Sequence, residues 1–325
     1  MSSQLFVEVL PTKPGRRLPD VYAYLPAGRG YHVQYRFVYT YFPPRPELGY
    51  SDRRKNTDNA DFYRLSEAYV GTLEGESFTP AFRALQSGEV SLALREDGAG
   101  DFVGGCHGDE RAEAIAFLLD GSPLYLETPA FYACRELMLR QDTLINRCHT
   151  PDYPLCRHRQ VYRLTGDTVN LSQYVEWVND AHLVTSAFMP MMTVQRLDPE
   201  NTDRRLTNTA EFFARVGGER VAVFDTTPYG PTPPEGLPTM VLEGTHAHAV
   251  RLSGRESGLT CECGITFPEG SPLSDRVRCR LWLRFARDLD SKAYFDIGGG
   301  TTPTAGTVWE GEVYYRITMK EVTHQ

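Results

Sequence analysis

Period-two alternation of apolar and polar side chains runs through almost the whole chain and limits what it can become. Successive side chains of a strand point to opposite faces, so alternation over four to eight residues marks strands with one buried face. The pattern is clear in "YHVQYRFVYTYF" (31–42), "EVSLALRED" (89–97), "FYACRELMLRQDTLINR" (131–147) and "VRCRLWLRFARD" (277–288). It recurs in 182–197, 220–225, 248–254, 292–297 and 307–320. Between these runs stand turn-forming clusters such as "DGAG", "DGSP", "TGD", "VGGE" and "GGGTTP".

Many strands joined by short turns, with no alternation of strand and helix, predict an all-β chain. The expected architecture is an antiparallel β-sandwich of jelly-roll type with a concave groove, spanning 1–325 as a single domain. Helical pieces are few: "TPAFRALQSG" reads as one, and "DFYRLSEAYVG" is ambiguous. The Pro-rich stretch 226–238 reads as a loop between strands, and no internal repeat is found.

Composition narrows the partners. Charge is −8 over 325 residues, which gives no general attraction to nucleic acid or to an anionic membrane. An acidic ligand would need a local basic cleft, for which Arg135, Arg140, Arg157, Arg159 and Arg196 are the available sources. Seven cysteines is an odd number, and their scatter, without any CxxC pair, argues against both a disulfide scaffold and a structural zinc site. "CEC" at 261–263 puts two thiols on one strand face. No apolar run reaches membrane-spanning length, and the N-terminus lacks the apolar core of a signal peptide. The expected setting is therefore cytoplasmic, leader-trimmed or phage-borne.

One turn is dense in chemistry. "GGCHGDE" (104–110) packs Cys106, His107, Asp109 and Glu110 into five positions between two strand-like runs. Its glycines allow backbone conformations closed to other residues. Either this is a solvated hairpin tip, or it is one wall of a site.

A second constellation lies in "CRHRQVYRLTGD" (156–167). Alternation places His158, Gln160 and Tyr162 on one face of a strand and Arg157, Arg159 and Arg163 on the other. The return run "VNLSQYVEWVND" brings Gln173 or Trp177 beside the first face. Further along, Lys292, Tyr294 and Asp296 share a face ahead of a glycine-rich turn that lacks the features of a phosphate loop. Arg204 and Asn208 lie in a polar loop that would reach over the groove. His246 and His248 have strand spacing for a metal, without a clear third ligand.

These residue types suit β-elimination across a uronic acid. The carboxylate is neutralised by Glu110, Gln160 or Arg135, a base (His107 or His158) takes the C5 proton, and Tyr162 or Tyr294 protonates the leaving oxygen. Lys292, Arg204 and Asn208 would bind the acidic polysaccharide. No cofactor is required and no metal is indicated, with a structural calcium or zinc left open. Together with "AYFDIGGG" and "HRQVY", the strand pattern resembles the β-jelly-roll polysaccharide lyases. That resemblance implies a concave sheet carrying Arg, Gln, His and Tyr. In the alginate-lyase branch the motifs are of Gln–Ile–His and Tyr–Phe–Lys–Ala–Gly–x–Tyr type, so "HRQVY" differs and Asp296 stands where Lys is expected. Two other readings stay open. One is a glycoside hydrolase using Glu110 with Asp109, Glu136 or Glu176; the other is a non-catalytic carbohydrate-binding or phage-appendage sandwich.

Overall fold

The computed structural model describes residues 4–43, 59–86, 92–188, 192–285 and 288–321. Its strands form two large antiparallel sheets. The first runs, edge to edge, through β9 (Ala130–Cys134), β1 (Leu5–Val9), β2 (Val21–Gly28), β3 (Tyr31–Phe42), β4 (Ala60–Glu74) and β5 (Ser77–Leu85). It continues through β14 (Met192–Gln195), β21 (Asp290–Asp296), β20 (Arg278–Leu283) and β17 (Met240–Thr245).

The second sheet runs through β8 (Ser122–Pro123), β7 (Glu110–Leu119), β10 (Glu136–Arg147), β11 (Thr150–Thr165) and β12 (Thr168–Trp177). It ends with β22 (Val308–Met319), β19 (Leu259–Thr266), β18 (Ala249–Ser253), β15 (Thr209–Phe213) and β16 (Arg220–Asp225). A short parallel contact, Ala60 to Glu110 and Asp61 to Arg111, links β4 to β7. A separate hairpin-like pair, β6 (Ala93–Glu96) with β13 (Leu183–Ala187), lies against β21.

The expected all-β antiparallel sandwich is what forms. The alternating positions point inward from both sheets into a common apolar cluster. Phe37 of β3 meets Tyr162 of β11 edge to face at 5.2 Å, and Tyr63 of β4 meets Phe117 of β7 at 4.9 Å. Gln141 of β10 holds the Tyr63 backbone across the gap: its amide accepts from Tyr63 N–H at 3.0 Å and donates to Tyr63 C=O at 2.7 Å. That bond pair satisfies the Tyr63 N–H and C=O through a side chain.

Two local expectations change. "TPAFRALQSG" is strand, not helix, in its described part: residues 79–85 belong to β5, which pairs with β4 and with β14. The ambiguous run 61–71 lies within β4. In both, sheet pairing overrides a weak helical propensity. The run 131–147 is two strands, β9 and β10, divided at Arg135. Cys261 and Cys263 both point into the core, as alternation requires.

Candidate functional site

The glycine-rich turn is built around the Glu110 carboxylate. Gly104, Gly105 and Gly108 all have positive φ, and residues 105–107 form one 3-10 turn. Glu110 is fully buried at the start of β7, and its Oε2 accepts the Gly105 N–H at 2.6 Å. Its Oε1 accepts Thr143 Oγ1 at 2.7 Å and Gln160 Nε2 at 3.2 Å, and faces His158 Nδ1 at 3.1 Å. Burial alone would raise the Glu110 pKa; the hydrogen bond and charge of His158, with Thr143 and Gly105, outweigh it and hold the carboxyl below its ordinary value.

His158 is fixed at both nitrogens. Gln173 donates its amide to the Phe188 carbonyl, so its Oε1 faces His158 Nε2, at 2.9 Å, as an acceptor. Strand spacing suggested that His158, Gln160 and Gln173 would meet, and they do; the fold adds Glu110 from the glycine-rich turn. It brings them together between the sheets, in the core. His158 is 1% exposed and Tyr162 0%, and Tyr162, packed on Phe37, has its hydroxyl pKa raised by burial.

That placement corrects several assignments. Tyr162 as the acid, His158 as the base, and Gln160 or Glu110 as the groups that neutralise a uronate are all sealed from a polymeric substrate in this fold. His107 sits on the turn with its ring 5.0 Å from Phe102, in no cleft shared with Tyr162. Arg204 does not form a lid. It lies over the Phe82 ring at 4.7 Å and donates to the Ala81 carbonyl. Asn208 is buried, with its side-chain oxygen accepting from Thr209 and Arg255 N–H. Arg140, Arg157 and Arg159 lie on the outward face of the second sheet, where Asp142 pairs with two of them. Arg135 is exposed at the break between β9 and β10, and Arg196 is buried with its guanidinium on the carbonyls of Tyr229, Gly230 and Arg284. These arginines form no common cleft. The hydrolase pair fails likewise, since Glu110 is sealed in the core and Glu136 pairs with Arg163. His246 and His248 each bond a backbone carbonyl.

Lys292 and Tyr294 do line an open pocket. On the outer face of the first sheet, register sets Arg280 beside Tyr294 and Trp282 beside Lys292. Arg284 continues the row, and Phe102 and Thr185 close the side, around a volume of about 320 Å³. Phe102 and Tyr294 pack on the same small residues, Ala93 and Ala187. The His107 turn thus reaches this pocket indirectly, through Phe102. Both arginines are anchored: Arg284 on Asp290 at 2.8 Å and Gln86 at 2.7 Å, Arg280 near Asp296 at 3.7 Å. Trp282 is 38% exposed, which is unusual for so large an apolar surface.

The sequence reading missed Trp282, Arg280, Arg284 and Phe102. Period two in "VRCRLWLRFARD" was the available signal, since 280, 282 and 284 must share a face. A polar array on the same outer face was also missed. Tyr24 donates to Glu8, Gln34 to Tyr24 at 2.9 Å, and Arg36 to Gln34 at 2.7 Å. Arg36 lies 3.5 Å from Glu67, and Arg83 joins Glu67 to Gln195.

No protein-family model matches the sequence, and no curated protein does. Among solved structures, the chain is similar to a provisionally assigned mutarotase from Salmonella typhimurium, at 7% identity and TM-score 0.45, covering 93% of this chain and 91% of that one. It is similar to galactose 1-epimerase from Lactobacillus acidophilus at 9% identity and TM-score 0.38, covering 99% and 100%. A provisionally assigned aldose 1-epimerase from Escherichia coli K12 matches at 14% identity and TM-score 0.38, covering 78% and 97%. None of the three is named as a lyase. With Tyr162 buried and apart from His107, the uronate-lyase expectation is withdrawn. Among the described residues, no helix is long and apolar enough to cross a membrane.

Proposed function

We propose that the chain recognises a saccharide at the Trp282–Tyr294 pocket, and that a carboxylated or sulfated sugar is preferred. The carrying observation is the two-by-two block of Arg280, Trp282, Lys292 and Tyr294 on one sheet face. An indole and a phenol offer flat apolar surface to the C–H face of a sugar ring, while the phenol also hydrogen-bonds. The cationic groups supply charge-assisted hydrogen bonds to an acidic substituent. A pocket of this volume falls at the lower end of the range for small-ligand sites.

The protein carries its own probe. Of its three tryptophans, Trp177 and Trp309 are buried and Trp282 is exposed, so quenching of tryptophan fluorescence by iodide reports on Trp282. Galacturonate, glucuronate and sulfated galactose oligosaccharides should shield it, with neutral galactose and glucose weaker. Lys292→Ala should lower affinity for the acidic sugars by about tenfold, or about 1.4 kcal/mol, with a smaller effect on neutral ones. Optical rotation followed on the same aldoses shows whether binding is accompanied by anomer exchange. Absence of shielding by every saccharide in the panel would refute the proposal.

A further inference from the structure

We propose that Asp109, Cys148 and His149 form a binding site for a first-row transition ion, with zinc the best match to their donors. The three residues come from two turns at one end of the second sheet. Asp109 closes the glycine-rich turn just before β7, and Cys148 and His149 occupy the β10–β11 turn next to it. The turns are tied by Asn146 N–H donating to Asp109 C=O at 2.8 Å.

Adjacent residues of a strand point apart, so Cys148 and His149 would ordinarily not face one ion. Here the pair sits in a turn whose left-handed backbone at His149, φ 57°, breaks that rule, and Asp109 too is left-handed, φ 54°. One carboxylate oxygen, the thiol sulfur and one imidazole nitrogen all lie within 4.8 Å of one another. Ligands around a tetrahedral zinc, bound at about 2.0–2.3 Å, stand roughly 3.5 Å apart. Closing the set takes about an ångström of side-chain movement.

The surroundings suit a cation independently of the three donors. Asn59, buried at 4% exposure, donates through Nδ2 to Asp109 Oδ1 at 3.2 Å. Its own Oδ1 is a buried acceptor with no hydrogen-bond partner among the described residues. A metal-bound water would donate to it, and the Asn59–Asp109 bond would orient the ligand as outer partners do in metal sites. The second carboxylate oxygen is steadied by His149 N–H at 3.1 Å. The metal-free Cys148 thiol has its pKa pushed up to about 11 by burial and by the Asp109, Asp101 and Glu96 carboxylates, charges that favour a cation beside it. It borders an open cavity of about 680 Å³ lined by Glu96, Asp97, Arg147, Asp180 and His182, which supplies an entry path. Imidazole, thiolate and a single carboxylate favour zinc or cobalt over calcium or magnesium, which prefer oxygen-only shells. Binding forms a metal–sulfur bond and releases the thiol proton to solvent. It involves no change in oxidation state.

Titrating cobalt(II) into the reduced 325-residue chain tests this. We expect saturation near one equivalent, with a thiolate-to-cobalt charge-transfer band that zinc abolishes by displacement. Cys148→Ser should remove the band, and His149→Gln or Asp109→Asn should weaken binding at least about tenfold. Cys106→Ser should leave it intact. On the unaltered protein, zinc should protect Cys148 but not Cys106 from alkylation, a readout independent of how any variant folds. Absence of a saturable band, a band that survives Cys148→Ser, or equal alkylation of Cys148 with and without zinc would each overturn the site.

Discussion

At the residue scale, Glu110 and His158 meet at 3.1 Å in the core. Both side chains are sealed from solvent, so removing either leaves the other's charge or polar atoms unmatched. Loss of one partner of a buried pair costs about 3–5 kcal/mol. Glu110→Gln and His158→Ala should each lower stability by that order in urea unfolding, and a cost below about 1 kcal/mol would show that the pair is not a charged one. The pH dependence follows from the direction of the shift. A carboxyl held below its unfolded value, about 4.3, stabilises the fold fully above that pH. The contribution is lost as pH falls through the lower folded value. The urea midpoint of the native protein should therefore fall more steeply below about pH 4 than that of Glu110→Gln. His158, Gln160 and Tyr162 were legible in the sequence as one strand face, while the contact of Glu110 with His158 and Gln160 comes from the tertiary structure. Which side of the sheet those three faced was not legible, because alternation assigns residues to a common face without saying what covers it.

At the element scale the glycine-rich turn is a fitting piece. Gly104 has φ 86°, and a Cβ there would come within 3.1 Å of the Leu92 carbonyl. Gly104→Ala combines a disfavoured backbone with crowding and should destabilise by about 1–3 kcal/mol. Because the turn carries Phe102's partner His107 and the Asp109 carboxylate, the same change should blunt both sugar shielding at Trp282 and cobalt binding. A fully native response of both would mean that the turn is deformable and positions neither. Strand identity was well marked in elements such as β3, where 31–42 reads as strand and is strand. It was poorly marked in β5, whose partners β4 and β14 are supplied by distant segments. A short stretch cannot display in its own residues a pairing that another part of the chain provides.

At the scale of the whole molecule, burial decides chemistry. Five of the seven thiols, Cys134, Cys156, Cys261, Cys263 and Cys279, are buried, and Cys106 and Cys148 are partly exposed. Among the described residues, no disulfide joins any two of the seven. Burial pushes the core thiols away from the reactive thiolate form. Titration with a thiol reagent should find two reacting groups in the native protein and seven in denaturant. More than two fast groups would show that the sandwich opens readily. The topology also sets a kinetic expectation in kind: pairings such as β5 with β14 and β12 with β22 join remote segments, and sheets of this sort fold slowly because loops must close first.

That the chain is all-β, and which residues share a strand face, can both be read from the amino acids alone, because both follow from the two-residue repeat of an extended backbone. The same repeat grouped Lys292 with Tyr294, and His158 with Gln160, correctly. Tertiary structure alone decided that the first pair opens to solvent beside Trp282 and that the second is enclosed. It also decided that Asp109 meets Cys148 and His149. Those outcomes depend on which sheet face is packed and which turns are neighbours, and both are set by contacts between segments far apart in the chain.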